Sequence, residues 1–501
     1  MSRTWTRFGL LFGLFLCIAM HATSAMADSG WCAYYTQIET ECQTVVQPEW
    51  EGFYPSIVIT APCHVCCIVP PNAPTAEVSG EWAVTIFNDV NGPDTATVGD
   101  SWWCPHPLTP NIGKPLGTPP GPNIIGDPIN AGTGNVYRRE EDFRAGRWLT
   151  FDRYYNSAPS AVMGPFGQHW SHSYASHLTY TSGTGMVTIT REDGRVSTYS
   201  VLASGAWGGE PDIPDALTEQ TNSSGNATGW TLQRVDTQSA ELFNAAGQLI
   251  SIQYQDGFTT TLTYSTSGTP TTVAPGAGYL ITVTDASQRS IQLTYNSSGL
   301  INQVTAPDGS AYSYAYNSAN DLSSVTNPAA TVMTYLYNES AYSGGATTPG
   351  LLTGILDESG VRYLSYSYNA AGQATNSQLA GGAASYTMTY NSDGSADVVD
   401  PLGTSRHRTF STILGVPYIT GVNGTCESCS TASAWAYDFT GLLNQTTDFN
   451  GNVTTYQHDI DGMEVGSVQG SGSSPRKKFR STGTTPFMYR PNDASITTAT
   501  A

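Results

Sequence analysis

His169, His172 and His177 are the one histidine cluster in the sequence, and with Glu192 or Asp193 they have the residue types for a metal site or a proton relay. Extended backbone would send His169 and His172 to opposite faces, so convergence would require a turn. A structural role is the better reading. Glu140-Glu141-Asp142 lies among Arg138, Arg139, Arg144 and Arg147, a pattern that reads as a solvated charge network rather than an acid/base pair. Cys63-x2-Cys66 and Cys426-x2-Cys429 have the spacing of zinc-ligand pairs, and Cys63-His64-Val65-Cys66-Cys67 has a redox-like look without the βαβ context that such chemistry uses. The sequence contains no GxSxG, HExxH or phosphate-binding glycine loop. These readings favour a protein that is not an enzyme and carries no cofactor or metal.

The first residues bear on the cysteines. Arg3 and Arg7 precede the apolar run Leu10–Met20, and Ala25-Met26-Ala27 offers a small-x-small cleavage site. The run is shorter than the roughly 20 residues that span a bilayer. Residues 1–27 therefore read as a signal peptide with Asp28 as the mature N-terminus, leaving no integral membrane segment after cleavage and an exported protein in the periplasm, at the surface or secreted. In that setting Cys32, Cys42, Cys63, Cys66, Cys67, Cys104, Cys426 and Cys429 are expected as disulfides, with zinc as the rival reading and the connectivity open.

Formal charge excludes another class. With 20 basic and 40 acidic residues the net is −20, and such a surface repels phosphate backbones, so nucleic acid is not an expected partner. A basic protein, a toxin or surface glycans remain the candidates.

Residues 28–122 form a Cys-rich N-terminal region with a proline-rich exit, Pro105 to Pro122, which is expected to be a linker because proline suits neither helix interiors nor central strands. Ile57-Val58-Ile59 and Ala83–Phe87 read as short strands within it. From about residue 240 the chain repeats. Tyr295-Asn296 recurs as Tyr316-Asn317 and Tyr337-Asn338 at intervals of 21, with Val304 and Val325 nine residues after the first two tyrosines. Phe243, Ile252 and Tyr264 follow the same frame, Tyr368 and Tyr390 open looser copies, and Tyr437-Asp438 opens another that His458-Asp459 closes. Asn, Asp and Gly supply turns, and a short strand, a second turn such as Pro307-Asp308-Gly309 and a strand with alternating large residues complete each unit. Tyr312, Tyr314 and Tyr316 should share one sheet face. The recurring Tyr264, Tyr295, Tyr316, Tyr337, Tyr368, Tyr390 and Tyr437 are expected in the core rather than on a sugar-binding platform.

These units resemble the YD repeats of Rhs and related polymorphic-toxin proteins, with Tyr437-Asp438 to Gly441 and Asp448 to Gly451 nearest that consensus. A second resemblance precedes them: Gly126-Asp127-Pro128-Ile129-Asn130 to Gly134-Asn135, Phe151-Asp152-Arg153-Tyr154-Tyr155-Asn156-Ser157, and Gly164-Pro165-Phe166-Gly167 through Trp170 and His172 to Tyr174 are similar to the module ahead of Rhs repeats. The resemblance implies an all-β fold, a spiralling antiparallel sheet forming a hollow shell around a C-terminal toxin, closed by an autoproteolytic segment. Neither the toxin nor that segment is visible here, so a partial shell is expected. The expected organisation is a signal peptide (1–27), the Cys-rich region (28–122), an Rhs-type module (123–200), YD repeats (201–464) and an atypical, disordered tail (465–501), the mark of truncation. The function this implies is a non-catalytic scaffold fragment of a toxin-delivery protein; the alternative is a secreted adhesin that binds cell-surface glycans.

Overall fold

The computed structural model describes residues 58–60, 85–87, 111–181, 184–202, 205–424, 432–459, 462–470 and 476–479. The chain divides into two compact units, Met1–Pro110 and Asn111–Ala501. In the first, the described strands Val58–Thr60 and Thr85–Phe87 pair in parallel, where the sequence indicates short strands. The signal peptide and the cysteines lie outside the described residues.

The second unit is all-β apart from two short 3-10 turns, Gly121–Asn123 and Ala380–Gly382, among its described residues. From Ala216–Thr221 to Arg476–Phe479, 23 strands follow one another in sequence order, each antiparallel to the last. Such a ladder needs only local turns. At one rim Asn296 Oδ1 accepts the amides of Ser298 and Leu300, and Asn317 Oδ1 those of Ala319 and Asp321, at 2.8–3.0 Å; Asn369 and Asp438 cap their turns in the same way. The side chain after the repeat tyrosine thus holds the turn that begins the next strand.

At the same rim, the tyrosine closes the open end of the hairpin that precedes this turn. The hydroxyls of Tyr264, Tyr295, Tyr316, Tyr337, Tyr368 and Tyr390 donate to the carbonyls of Leu249, Leu280, Ile301, Leu322, Leu352 and Ala374 at 2.5–2.8 Å. Each acceptor is the first residue of the strand preceding the tyrosine's own. Register shifts fall at Tyr264, Tyr295, Tyr316, Tyr337, Tyr368 and Tyr437, where one extra residue bends the strand end. Tyr295 and Tyr368 are buried, whereas Tyr264, Tyr316, Tyr337, Tyr390 and Tyr437 are half-buried. Tyr437 packs against Tyr418 with ring centroids 4.9 Å apart.

Three boundaries differ from the sequence reading. Asn111–Pro122 is not a free linker: Leu116 and Thr118 carbonyls accept Arg195, Lys114 pairs with Asp212 at 2.6 Å, and the Pro122 carbonyl accepts Arg408. The strand Val196–Val201 crosses the expected 200/201 boundary inside a four-stranded sheet that ends at Trp207–Gly209. The ladder also continues past residue 464, because Asp459 caps another turn and Glu464–Gln469 pairs with Val453–His458 and then with Arg476–Phe479. The rest of the expected tail lies outside the described residues.

Candidate functional site: the module seated on the ladder

Residues 111–209 cross one face of the ladder, and a single core contains Phe151, Tyr155, Phe166 and Trp170 of this module together with Val304, Tyr314, Tyr335 and Tyr366 of the repeats. Along this stretch the chain's own module covers the apolar face of the repeats. The apolar, aromatic side of each repeat strand would otherwise meet water, and burying it removes that cost.

The module meets one rim at several of its turns, running against the ladder's order except at Pro165 and Gly167. Asn123 bonds the Pro417 carbonyl and the Ile419 amide; the Gly134 carbonyl accepts Ala374 N–H; the Tyr155 hydroxyl donates to Gly350 O and accepts Leu352 N–H. Gly167 bridges Asp321, the Pro165 carbonyl accepts Ile301 N–H, and Leu178 N–H donates to Gly247 O. Gly247 has φ +79°, and a Cβ there would collide with the Leu178 carbonyl, so two constraints fix glycine at that turn.

Between these rim contacts the hairpin Tyr137–Arg144 and Thr150–Asn156 crosses the face, and side chains spaced by two meet one tyrosine per repeat. Tyr314 OH donates to Asp142 at 2.6 Å, Tyr335 OH donates to Glu140, and Arg138 donates to Tyr366 OH at 3.1 Å. Arg153, on the paired strand, bonds Asp142 through Nε and Nη2 at 3.0–3.1 Å, Glu140 at 3.0 Å and Tyr335 OH at 3.2 Å. Its guanidinium carbon lies 5.3 Å from the Trp170 ring, whose N–H donates to Tyr337 OH at 2.9 Å. Burial opposes the charge on Arg153, yet Asp142, Tyr335 and Glu140 hold its pKa well above the ordinary value. Burial likewise opposes the Glu140 carboxylate, but Arg153 and Arg138 keep it below the usual range, whereas burial outweighs Arg153 at Asp142 and raises it. The sequence reading of a solvated network is corrected for Glu140 and Asp142, and it fits Glu141 and Arg144, an exposed pair at 2.5 Å. At the hairpin tip Trp148 stacks on Tyr254 at 4.0 Å and donates to Asp256, pinning the module to the opposite rim.

The histidines do not converge on a site. His172 is buried, stacked on Phe151 at 5.3 Å, and its Nδ1 accepts Tyr174 N–H; His169 is buried beside Tyr155; His177 is exposed. Among the described residues no group of three or more His, Cys, Asp or Glu could hold a metal ion. A cavity of about 520 Å³ opens between Thr118, Tyr137, Tyr154, Arg195 and Asp236. Its arginines have internal partners: Arg234 pairs with Glu192, Asp236 and Glu241, Arg191 with Asp215 and Asp236, and Arg139 with Asp152, while Arg195 donates to the Leu116 and Thr118 carbonyls. Sequence reasoning placed Arg153 in a motif and Tyr314 on a sheet face without seeing their contact, and it missed Tyr335 and Tyr366; the recurrence of a tyrosine two residues before Tyr316, Tyr337 and Tyr368 was the available signal.

Residues 126–199 match the family model described as "Domain of unknown function (DUF6531)". No curated protein matches the chain. Among solved structures, the chain is similar to a Photorhabdus luminescens Tc holotoxin pore with a TccC3 mutation, at 10% identity and TM-score 0.30, over 67% of this chain and 21% of that one. A crystal structure of TcdB2-TccC3 gives 15% identity and TM-score 0.24 over 59% and 20% of the two chains. The chain thus spans about a fifth of the structures it matches, and the reading of the fold rests on the ladder itself. Among the described residues no helix is long and apolar enough to cross a membrane. With the matched module leading into a run of tyrosine-clamped, Asx-capped hairpins, the chain fits the Rhs, YD-repeat type.

Proposed function

We propose that this chain is a non-catalytic, exported scaffold of the toxin-delivery kind, in which the module seals and registers part of a repeat shell. The observation that carries the reading is the internal use of the ionisable groups best placed for chemistry. Buried Arg153 and half-buried Glu140 and Asp142 are paired with one another and with ladder tyrosines, and His172 is enclosed by aromatic rings. An enzyme would present converging polar groups to an open pocket. A toxin, on the same chain or another, is the partner this reading implies, with the cysteines as disulfides in the exported protein.

Expression of residues 28–501 in the periplasm of a sensitive cell tests the proposal, with N-terminal sequencing of the full-length product for cleavage before Asp28. The scaffold reading predicts cleavage there, non-reducing mass maps with cystine links, and no killing. Reproducible killing by the purified chain would overturn it.

A further inference from the structure

The module carries two imidazoles into its seat. His172 lies between Phe151, stacked at 5.3 Å, and Phe166, edge-on at 5.9 Å, and Phe166 in turn packs on the ladder's Tyr314 at 4.7 Å. Its Nδ1 accepts the Tyr174 amide, which commits that nitrogen as an acceptor and opposes a second ring proton. The charged residue across the strand pair is Arg153, the register partner of His172, and its charge is taken up by Asp142 and Glu140. Asp152, on the same strand, is held by Arg139. The phenols nearby, Tyr174 and Tyr314, are both raised by burial and stay neutral.

His169 stands at φ 67° against the rim loop of residues 338–351, where the ring edge meets Gly350. Its Nδ1 lies 2.6 Å from the Asn156 carbonyl, with the Pro349 carbonyl also in reach. The facing charges are Asp321, on the adjoining turn, and Glu339, on the loop and tied to Arg362. Tyr155 is the neighbouring phenol.

We propose that His169 and His172 make the module's seat acid-labile, because Phe166 joins the His172 ring to the ladder's Tyr314 and the rim loop at Gly350 closes on His169. The inference rests on the module being the sealing part proposed above, and it adds the regulation of that seal. The sign follows from linkage. Burial lowers His172 from 6.5 to about 3, and burial also lowers His169 against the pull of Asn156, Asp321 and Pro349. A group depressed in the docked state stabilises docking above its free value and loses that contribution as pH falls. The window therefore opens below about pH 6.5, and about 30-fold weakening by pH 5.0 is the limit for a His172 ring wholly freed on undocking. The main carboxylate contributions lie lower. Glu140, held below its usual range, loses stability only in stronger acid, and raised Asp142 acts in the opposite sense.

Three ladder amides report docking directly, since Ile301, Leu352 and Ala374 N–H bond module atoms. Hydrogen exchange of the whole chain, corrected for intrinsic rates and read residue by residue by mass spectrometry, should show their protection falling between pH 7.5 and 5.0, by up to about 30-fold through His172. Strand amides in Leu322–Thr326 and Val332–Tyr337 serve as controls and should change far less. His172→Gln, which keeps an acceptor for Tyr174 N–H, should remove most of the pH dependence, and His172→Phe serves if that variant does not fold. Adding His169→Gln should remove the remainder. Equal protection at both pH values, or an undiminished fall in the folded variants, overturns the acid-labile seat. Absence of protection at pH 7.5 overturns docking itself and the inference with it.

Discussion

Replacing Arg153 with Met removes the cation that Glu140 and Asp142 share. Glu140 keeps Arg138 at 3.1 Å, so Asp142 is the stranded carboxylate, retaining Tyr314 OH but no ion-pair partner in its buried seat. Leaving one member of a buried pair costs about 3–5 kcal/mol, and the methionine can preserve much of the packing against Trp170. The chain should fall by that amount in urea unfolding followed through tryptophan fluorescence, with the slope unchanged if the denatured state is the same. Adding Asp142→Asn removes the stranded charge while keeping an acceptor for Tyr314, and should recover more than half of the loss. The pH dependence has a fixed sign. Burial already raises Asp142, and losing Arg153 raises it further, so the docked carboxyl gains its proton first and the deficit of Arg153→Met should shrink as pH falls toward about 5. Equal losses for the single and double variants at neutral pH, or a deficit that grows in acid, would refute the reasoning.

Tyr316→Phe should cost about 1 kcal/mol by removing the hydroxyl clamp on the Ile301 carbonyl, whereas Tyr316→Ala should cost about 3–5, both read as shifts in urea midpoint. Gly247→Ala should release exchange protection at Leu178 N–H, because the turn must shift to relieve the clash with its carbonyl. Trp148→Ala should speed proteolysis in the hairpin tip around residues 145–149 while leaving the far rim contact at Asn123 intact.

The ladder was legible because the interval between Tyr295, Tyr316 and Tyr337 imposes both the turn and the strand that follow. Those tyrosines mark where each hairpin ends, but their hydroxyl acceptors, 15 or 16 residues earlier, lie across a strand pair and leave no local signature. Arg138, Glu140 and Asp142 looked solvated because charge at spacing two ordinarily marks an exposed strand face. Their enclosure follows from a tertiary match, since the hydroxyls of Tyr366, Tyr335 and Tyr314 meet them in that order. The proline-rich exit misled in the same way: its backbone carbonyls, rather than its side chains, are what Arg195 and Arg408 bind.

The central claim is that the chain's own module covers one face of the ladder. A photo-crosslinking benzoylphenylalanine in place of Phe143, which packs 5.6 Å from the Tyr312 ring, tests it most directly. Irradiation of the monomeric protein should join the module peptide to the strand Ala311–Tyr316 within one chain. Crosslinks confined to the module, or formed only between chains, would contradict the account.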